Sequence, residues 1–412
     1  MNDTIRYIGD FTPGTGFNTA LRGYLRALQY LGLDASKVRG VVSVGLPIGA
    51  STDDTMPVED WTYHYLRGMW RDEPPINIVH THASRFGDFY TANKYNIAVV
   101  AWETDKLPAR QYEHFGKKAT VAESLNKFDE CWVPTRWVGG LLRDSGVNPR
   151  NGIHVIPHAL LPEYAEAAAR LTSKNCEEVN LLSIGTWNPR KNMEQLFQTY
   201  AGCGWSPLDG VRLDVCCVPP ARDGAILLAH SRQANEHVQA ILQGLPDGPE
   251  SAPSFGLYTT YVDEKRVIER YKAAHVFLST SRGEAFQLPA MEAAAFGCWI
   301  IGGGPWLQEL AEIAGTLDEG GLVDLVPTQM IPIAPMPEVT GYEIGQKWWH
   351  VDGEALQEAL VSAVSAIKET GSFEGTLKWA EKVRQHYSVR RIAGLIAKRL
   401  AVATEEIEGS AW

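Results

Sequence analysis

Residues 278–303 read LSTSRGEAFQLPAMEAAAFGCWIIGG, and the fold is read outward from this stretch. It opens on the end of an apolar strand, and Glu284 falls in the polar loop that follows. Pro289 stands where a first helical residue is expected, because its fixed φ and missing N–H cost nothing there. Glu292 is expected on the first turn of that helix, and Gly297 just past its end. CWII reads as the next buried strand. A helix start presents N–H groups without intrahelical partners and the positive end of the helix dipole, which suits a phosphate. Carboxylates beside a phosphate repel it unless they hold something uncharged, such as sugar hydroxyls. The stretch therefore reads as an anion cradle flanked by hydroxyl acceptors, as a sugar nucleotide requires. The plainer alternative is an amphipathic helix with one surface and one capping glutamate.

The same strand-and-helix rhythm runs along the chain. TIRYIGDF reads as a short strand, TPGTGFN as a glycine-rich loop, and TALRGYLRALQYLG as a helix with Leu21, Tyr24, Leu25 and Leu28 on one face. VRGVVSV, INIVHTH, IAVVAW, FDECWVPT and GIHVIPHAL continue as strands, with helical patterns such as PARQYEHF and RWVGGLLRDSG between them. Near residue 158 the rhythm breaks at the Ala-rich connector LLPEYAEAAARLTSKNCEE. A second series follows through VNLLSIGTW, VRLDVCCV, PSFGLYTTYV, HVFLSTS and CWIIGG. Residues 303–350, rich in Gly and Pro, read as strands and loops, and GEALQEALVSAVSAIKE and SVRRIAGLIAKRLA as closing helices. Strands alternating with helices imply parallel sheets covered on both faces.

A length of 412 residues suggests two domains. With 45% hydrophobic and 21% charged residues the chain is globular rather than disordered. A formal net charge of -11 disfavours nonspecific binding to nucleic acid or anionic membranes. Its six cysteines (Cys131, Cys176, Cys203, Cys216, Cys217 and Cys298) are scattered without a C-x-x-C pair, which fits reduced thiols in the cytoplasm better than disulfides or zinc. MNDTIRYIGD carries no signal-peptide pattern, and no 18-residue apolar run is present to span a membrane.

Glu284 and Glu292 form E-x7-E within GEAFQLPAMEAAAFG, and this resembles the signature of retaining glycosyltransferases of the GT-B fold, family four in particular. The resemblance is strong over residues 180–302, moderate over 1–35 and 95–160, and weak elsewhere. It implies an α/β fold of two doubly wound Rossmann-like domains with an interdomain cleft. The first domain would span 1–160 and the second 178–389, with the C-terminal helix from about residue 390 crossing back to the first. By resemblance, Glu284 contacts the donor sugar and Glu292 accepts from the ribose hydroxyls. The backbone N–H groups of Phe286, Gln287 and Leu288 would hold the diphosphate.

SIGTWNPRKNMEQL places Arg190 and Lys191 just before a helix, where cations oppose the dipole unless an anion lies between. The family pattern has an Arg where this chain has Thr186, and Lys191 stands at its lysine position. Arg190 is the candidate substitute, since a guanidinium grips phosphate bidentately. A solvated turn is the alternative. Gly14, Thr15 and Gly16 in FTPGTGFN resemble the family's donor loop, although G-x-G after a strand is also a common turn. In VVAWETDKLP, Glu103 aligns where the family often has histidine, and Trp102 is either a ring for a sugar face or a half-buried interface residue. Of the pair in IVHTHASR, His82 is expected toward the acceptor and His80 in a structural role, and no two-histidine metal site is expected of them. Thr135 and Arg136 are further cleft candidates, His158 a hinge residue, and Tyr261 and Val262 border the expected base site.

The resulting expectation is a retaining, metal-independent hexosyl transferase without a resident cofactor, whose co-substrate is a nucleotide-diphosphate sugar (a UDP-sugar by family frequency). The sequence contains no D-x-D. The acceptor is left open among glycans, lipid-linked sugars, proteins, metabolites and modified nucleic-acid bases. A sugar-nucleotide epimerase or hydrolase of the same fold, and a non-catalytic sugar-nucleotide-binding protein, are the competing readings.

Overall fold

A computed structural model describes residues 5–9, 16–33, 38–42, 74–109, 119–175, 177–217, 224–245, 248, 253–260, 262–333, 345–370 and 374–409. The chain forms two compact units. The first comprises residues 1–161, 332–346 and 387–412, and the second residues 162–331 and 347–386. Residues 332–346 group with the first unit, whereas the sequence bounds of 178–389 place them in the second.

The first unit is built on six parallel strands in the order β2-β1-β3-β4-β5-β6: β1 (Ile5–Gly9), β2 (Val38–Val42), β3 (Ile76–His80), β4 (Tyr95–Val99), β5 (Glu130–Val133) and β6 (Ile153–Val155). Strands β3, β4 and β5 are buried along their whole length, as a sheet covered on both faces requires. The helix Gly16–Tyr30 buries Leu21, Tyr24, Leu25 and Leu28, the stripe read from the sequence. It packs against the C-terminal helix Val389–Gly409, which buries Ile392, Ala393, Ile396, Leu400 and Ala403. Gly23 permits close packing here, because a Cβ in its place would lie 3.2 Å from the Ala159 backbone. The C-terminal helix is further held by Arg399, whose Nε and Nη2 donate to Oε2 of the wholly buried Glu130 at 2.8 and 2.6 Å. Trp132 Nε1 donates to the other oxygen at 3.0 Å.

The second unit carries six parallel strands in the order β12-β11-β10-β7-β8-β9: β7 (Val179–Ile184), β8 (Val211–Cys216), β9 (Ser254–Tyr258), β10 (Val276–Ser279), β11 (Trp299–Gly302) and β12 (Val323–Leu325). A separate two-stranded sheet pairs β13 (Thr328–Pro332) with β14 (Lys347–Val351). The core joins β7, β8 and β10 to the helices Met193–Gly202 and Gly353–Thr370 through Leu181, Leu196, Phe197, Leu213, Leu278, Leu356 and Leu360. The strand order runs outward in both directions from β7 and β10, so the topological switch point lies between them, and ligand sites in such sheets form at the carboxyl ends of the strands there.

Two expectations about local structure change. The Ala-rich connector contains a helix, Pro162–Ala169. Residues 303–350 are not all strand and loop, since they include the helix Gln308–Ala314 and the 3-10 turns Pro305–Leu307 and Leu317–Glu319. PARQYEHF falls largely outside the described residues. Five cysteines are free thiols, four of them buried, and Cys176 lies outside the described set. Among the described residues no helix is long and apolar enough to cross a membrane.

Candidate functional site

Strands β7 and β10 release the chain into two loops that are stitched together. Arg282 N donates to Arg190 O at 2.7 Å, and Arg282 Nη1 to Pro189 O at 3.1 Å. Thr280 Oγ1 donates to Asn192 O at 2.9 Å, and Trp349 N closes the far side on Arg282 O at 2.8 Å. The helices that follow the loops are Met193–Gly202 and Leu288–Ala295, and each is preceded by a left-handed residue that is not glycine: Asn192 at φ 53 and Gln287 at φ 63. Such backbone costs free energy and persists only where neighbours enforce it. Gln287 is enforced by hydrogen bonds from its Nε2 to Ser279 Oγ and from Trp306 Nε1 to its Oε1, the latter at 3.0 Å. Asn192 is held through Gln195, which in turn donates to Val351 O at 2.7 Å.

Within this frame Glu284, Lys191 and Arg190 meet. Lys191 Nζ donates to Glu284 Oε1. Arg190 Nη1 donates to Gly283 O at 2.6 Å and to Glu284 Oε2 at 3.3 Å. Glu284 is 7% exposed. Burial alone would raise its carboxyl pKa, but the charges of Lys191 and Arg190, with hydrogen bonds from Lys191 and Ser281, outweigh burial and hold it below its ordinary value. The Lys191 stem crosses Gly185 so closely that a Cβ there would lie 3.3 Å from Lys191 Cδ and 2.8 Å from Met193 Cε. The cluster thus holds two cations and one carboxylate in a nearly dry setting at the switch point, where an added anion finds a net positive charge.

Glu292 is on the second turn rather than the first, because the left-handed Gln287 starts the helix at Leu288 and moves Pro289 to its second residue. The carboxylate is buried, 7% exposed, and accepts from Tyr271 at 2.8 Å. Tyr271 is itself fixed by stacking on Phe296 at 5.6 Å. Gly297, at φ 76, ends this helix as expected. Phe286 and Gln287 are buried and Leu288 half-buried, all three at the helix start. Thr186 is half-buried in the loop after β7, and Val262 half-buried just before Asp263, the N-cap of the helix Glu264–Ala273.

In the first unit, His82 and Glu103 lie beyond the ends of the neighbouring strands β3 and β4. Burial pushes the His82 imidazole down, the nearby Glu103 carboxylate partly restores it, and Arg85 adds to the depression. Nδ1 of His82 contacts Ser84 Oγ at 2.8 Å. Trp102 does not offer a ring to a sugar. It is 2% exposed, and its Nε1 donates to Thr104 Oγ1 at 2.7 Å and Lys106 O at 2.8 Å. His80 is buried with its Nδ1 3.1 Å from Tyr7 Oη, and it stacks on His158 at 6.3 Å. His158 therefore belongs to a buried aromatic cluster with Tyr24. Thr135 caps the helix Arg136–Asp144 through Val138 N, and Arg136 is exposed. Gly16 opens its helix with no atom within 4 Å of a Cβ built there. Gly14, Thr15 and Tyr261 lie outside the described residues. Among the described residues no cluster of His, Cys, Asp and Glu is arranged to hold a metal.

Sequence reasoning missed the part played by Tyr271, which holds Glu292. Tyr271 sits in a helix whose periodicity marks it only as a core position.

No family model and no curated protein sequence matches the chain. Solved structures do. HepE of Anabaena in complex with UDP-glucose matches at TM-score 0.59 and 10% identity, over 97% of this chain and 99% of that one. Sucrose-phosphate synthase of Thermosynechococcus elongatus matches at 0.59 and 18%, over 97% and 100%. The α,α-trehalose 6-phosphate synthase of Burkholderia multivorans matches at 0.61 and 11%, over the full length of both chains. These neighbours are GT-B glycosyltransferases. At such identities the likeness is one of architecture: two Rossmann-like domains on parallel sheets, matched end to end, give this chain the GT-B fold.

Proposed function

We propose that the chain is a retaining glycosyltransferase that moves a hexose from a nucleotide-diphosphate sugar to a hydroxyl acceptor, without a metal. The observation that carries this reading is the Arg190–Lys191–Glu284 cluster at the carboxyl ends of β7 and β10. On binding, the donor diphosphate shares the two cations with Glu284. Charge then builds on the leaving phosphate as the bond from C1 to its oxygen breaks, and Arg190, Lys191 and the start of Leu288–Ala295 stabilise it. The acceptor oxygen bonds C1 from the same face, and its proton passes to the leaving phosphate. Glu284, kept ionised by its partners, orients the donor sugar and supports the positive charge on its ring. Glu292, set by Tyr271, receives the ribose hydroxyls. By the resemblance, the backbone N–H groups of Phe286, Gln287 and Leu288 hold the diphosphate, Thr186 is a further donor-binding residue, and Tyr261 and Val262 are assigned to the base. By the same resemblance, Gly14, Thr15 and Gly16 are assigned to the donor, and Glu103 and His82 to the acceptor. UDP-glucose is the first donor to try, since UDP-glucose is what HepE binds in its solved complex.

The test is an incubation with UDP-glucose and a panel of hydroxyl acceptors in EDTA, read by NMR at the anomeric carbon. A new linkage with the donor's α configuration is the expected result. An inverted product refutes the retaining mechanism. Free glucose formed at the same rate with or without acceptor indicates a hydrolase, and donor binding without turnover indicates a binding protein.

A further inference from the structure

His82 stands just beyond the carboxyl end of β3, half-buried, where ligands of a parallel sheet gather. Its ring is turned back on its own chain. Ser84 N donates to Nδ1 at 3.3 Å, and Ser84 Oγ lies 2.8 Å from the same nitrogen, so the imidazole caps the 3-10 turn Ala83–Arg85. A backbone N–H can only donate, so Nδ1 accepts, and an accepting ring nitrogen carries no proton. The Ser84 hydroxyl, able to act either way, then donates to it as well. In the neutral ring the proton is therefore on Nε2, at the edge turned away from Ser84.

The surroundings keep the ring neutral. Burial and the Arg85 guanidinium disfavour the imidazolium more than the Glu103 carboxylate favours it. Protonation would also cost the cap, because a protonated Nδ1 cannot accept from Ser84. At neutral pH the histidine can thus give a hydrogen bond from Nε2, and it cannot take a proton from a hydroxyl without breaking the cap. Glu103 has the opposite character, since a carboxylate only accepts. It lies beyond β4, the strand beside β3, between Trp102 and Thr104, which are both buried and bonded to each other.

We infer that His82 is a hydrogen-bond donor to the acceptor rather than its general base, held in that state by Ser84, and that with Glu103 it selects an acceptor bearing neighbouring hydroxyls, a sugar or polyol. An N–H aimed at the attacking oxygen would engage the lone pair that must bond C1, so it goes to a second hydroxyl, which an isolated alcohol lacks. This rests on the acceptor assignment above and adds to it a tautomer, a positioning residue and a substrate class.

Long-range proton–nitrogen NMR of the whole protein carrying nitrogen-15 histidine reads the tautomer at neutral pH without any ligand, the His82 signals being identified by their loss in His82→Gln. A proton on Nε2 is expected, and the Nδ1-protonated form should become detectable in Ser84→Ala. A proton on Nδ1 in the parent, or a Ser84→Ala spectrum identical to the parent's, overturns the assignment. Kinetics with UDP-glucose then compares D-glucose, myo-inositol and N-acetylserine amide as acceptors. His82→Phe should raise KM for the two polyols roughly tenfold, the size of one hydrogen bond, and His82→Gln, which keeps an N–H, by less. In both, kcat should fall by far less than the roughly hundredfold or more that losing a general base costs. A fall of that size in both variants makes the histidine a base. Transfer to N-acetylserine amide as efficient as to the polyols refutes the substrate class. Failure of the parent to bind any nucleotide sinks the donor reading alone, because the tautomer is read without one.

Discussion

Arg190 Nη1 is shared between the Gly283 carbonyl at 2.6 Å and Glu284 Oε2 at 3.3 Å, so one guanidinium nitrogen fixes both the loop and its carboxylate. Lys191 takes the other oxygen of Glu284. The carboxylate is thus held ionised between cations that a diphosphate would also seek.

Removing the carboxylate should separate binding from transfer. In Glu284→Ala the two cations remain for phosphate, so nucleotide affinity is expected to stay within about tenfold while transfer is lost. Calorimetry beside a turnover assay checks this, and undiminished turnover would falsify the site assignment.

Removing a cation acts differently. Lys191→Ala leaves the buried Glu284 with Arg190 as its remaining cation in the pair of contacts described. Breaking a buried pair from one side costs about 3 kcal/mol or more. The variant should lose stability to urea as well as diphosphate affinity, and Lys191→Ala/Glu284→Ala should recover much of the stability and none of the affinity. A double mutant no more stable than Lys191→Ala would contradict the coupling.

The Glu284 shift has a sign that can be tested. Its folded pKa lies below the ordinary 4.5, so the stability it contributes is present above pH 4.5 and lost as pH falls through the lowered value. Glu284→Gln should therefore show a shallower loss of stability on acidification below pH 4.5. Urea midpoints measured from pH 5 to 3 provide the comparison.

His80 and His158 act in a higher window. Burial pushes each down to about 3 from 6.5, with His80 adding to the effect on His158. The unfolded chain takes up these protons first, so stability is full above pH 6.5 and falls with acid at about 1.4 kcal/mol per pH unit for each ring. His158→Phe should reduce that slope between pH 6 and 5. An unaltered slope would place the proton uptake elsewhere.

The Glu130–Arg399 pair ties the C-terminal helix to the first unit's sheet. Arg399→Ala leaves a wholly buried carboxylate without its guanidinium and should cost about 3 kcal/mol. Earlier proteolytic cleavage within Val389–Gly409 should accompany the loss. Resistance equal to the parent's would show that apolar packing alone holds the helix.

Much of the fold was legible because parallel strands buried on both faces leave continuous apolar runs, as in VNLLSI and HVFLS, and turn residues punctuate them. Arg190, Lys191 and Glu284 were singled out through the resemblance carried by GEAFQLPAMEAAAFG and SIGTWNPRKNMEQL, since by themselves a solvated turn and a surface glutamate fit the same residues. What escaped was set by tertiary contacts. Trp102 looks from sequence like a ring for a ligand, but Thr104 and Lys106 fold back to bond its indole. Glu292 moves to the second turn because Ser279 and Trp306, distant in sequence, hold Gln287 in a left-handed conformation.

On the proposed reading, the second unit binds a nucleoside diphosphate. A thermal-shift panel of UDP, GDP, ADP and their sugar conjugates, run in EDTA at millimolar ligand, tests it most directly. A micromolar binder at that concentration adds about 4 kcal/mol, so a clear rise in Tm with one base is the predicted result. No shift with any of them would contradict the account.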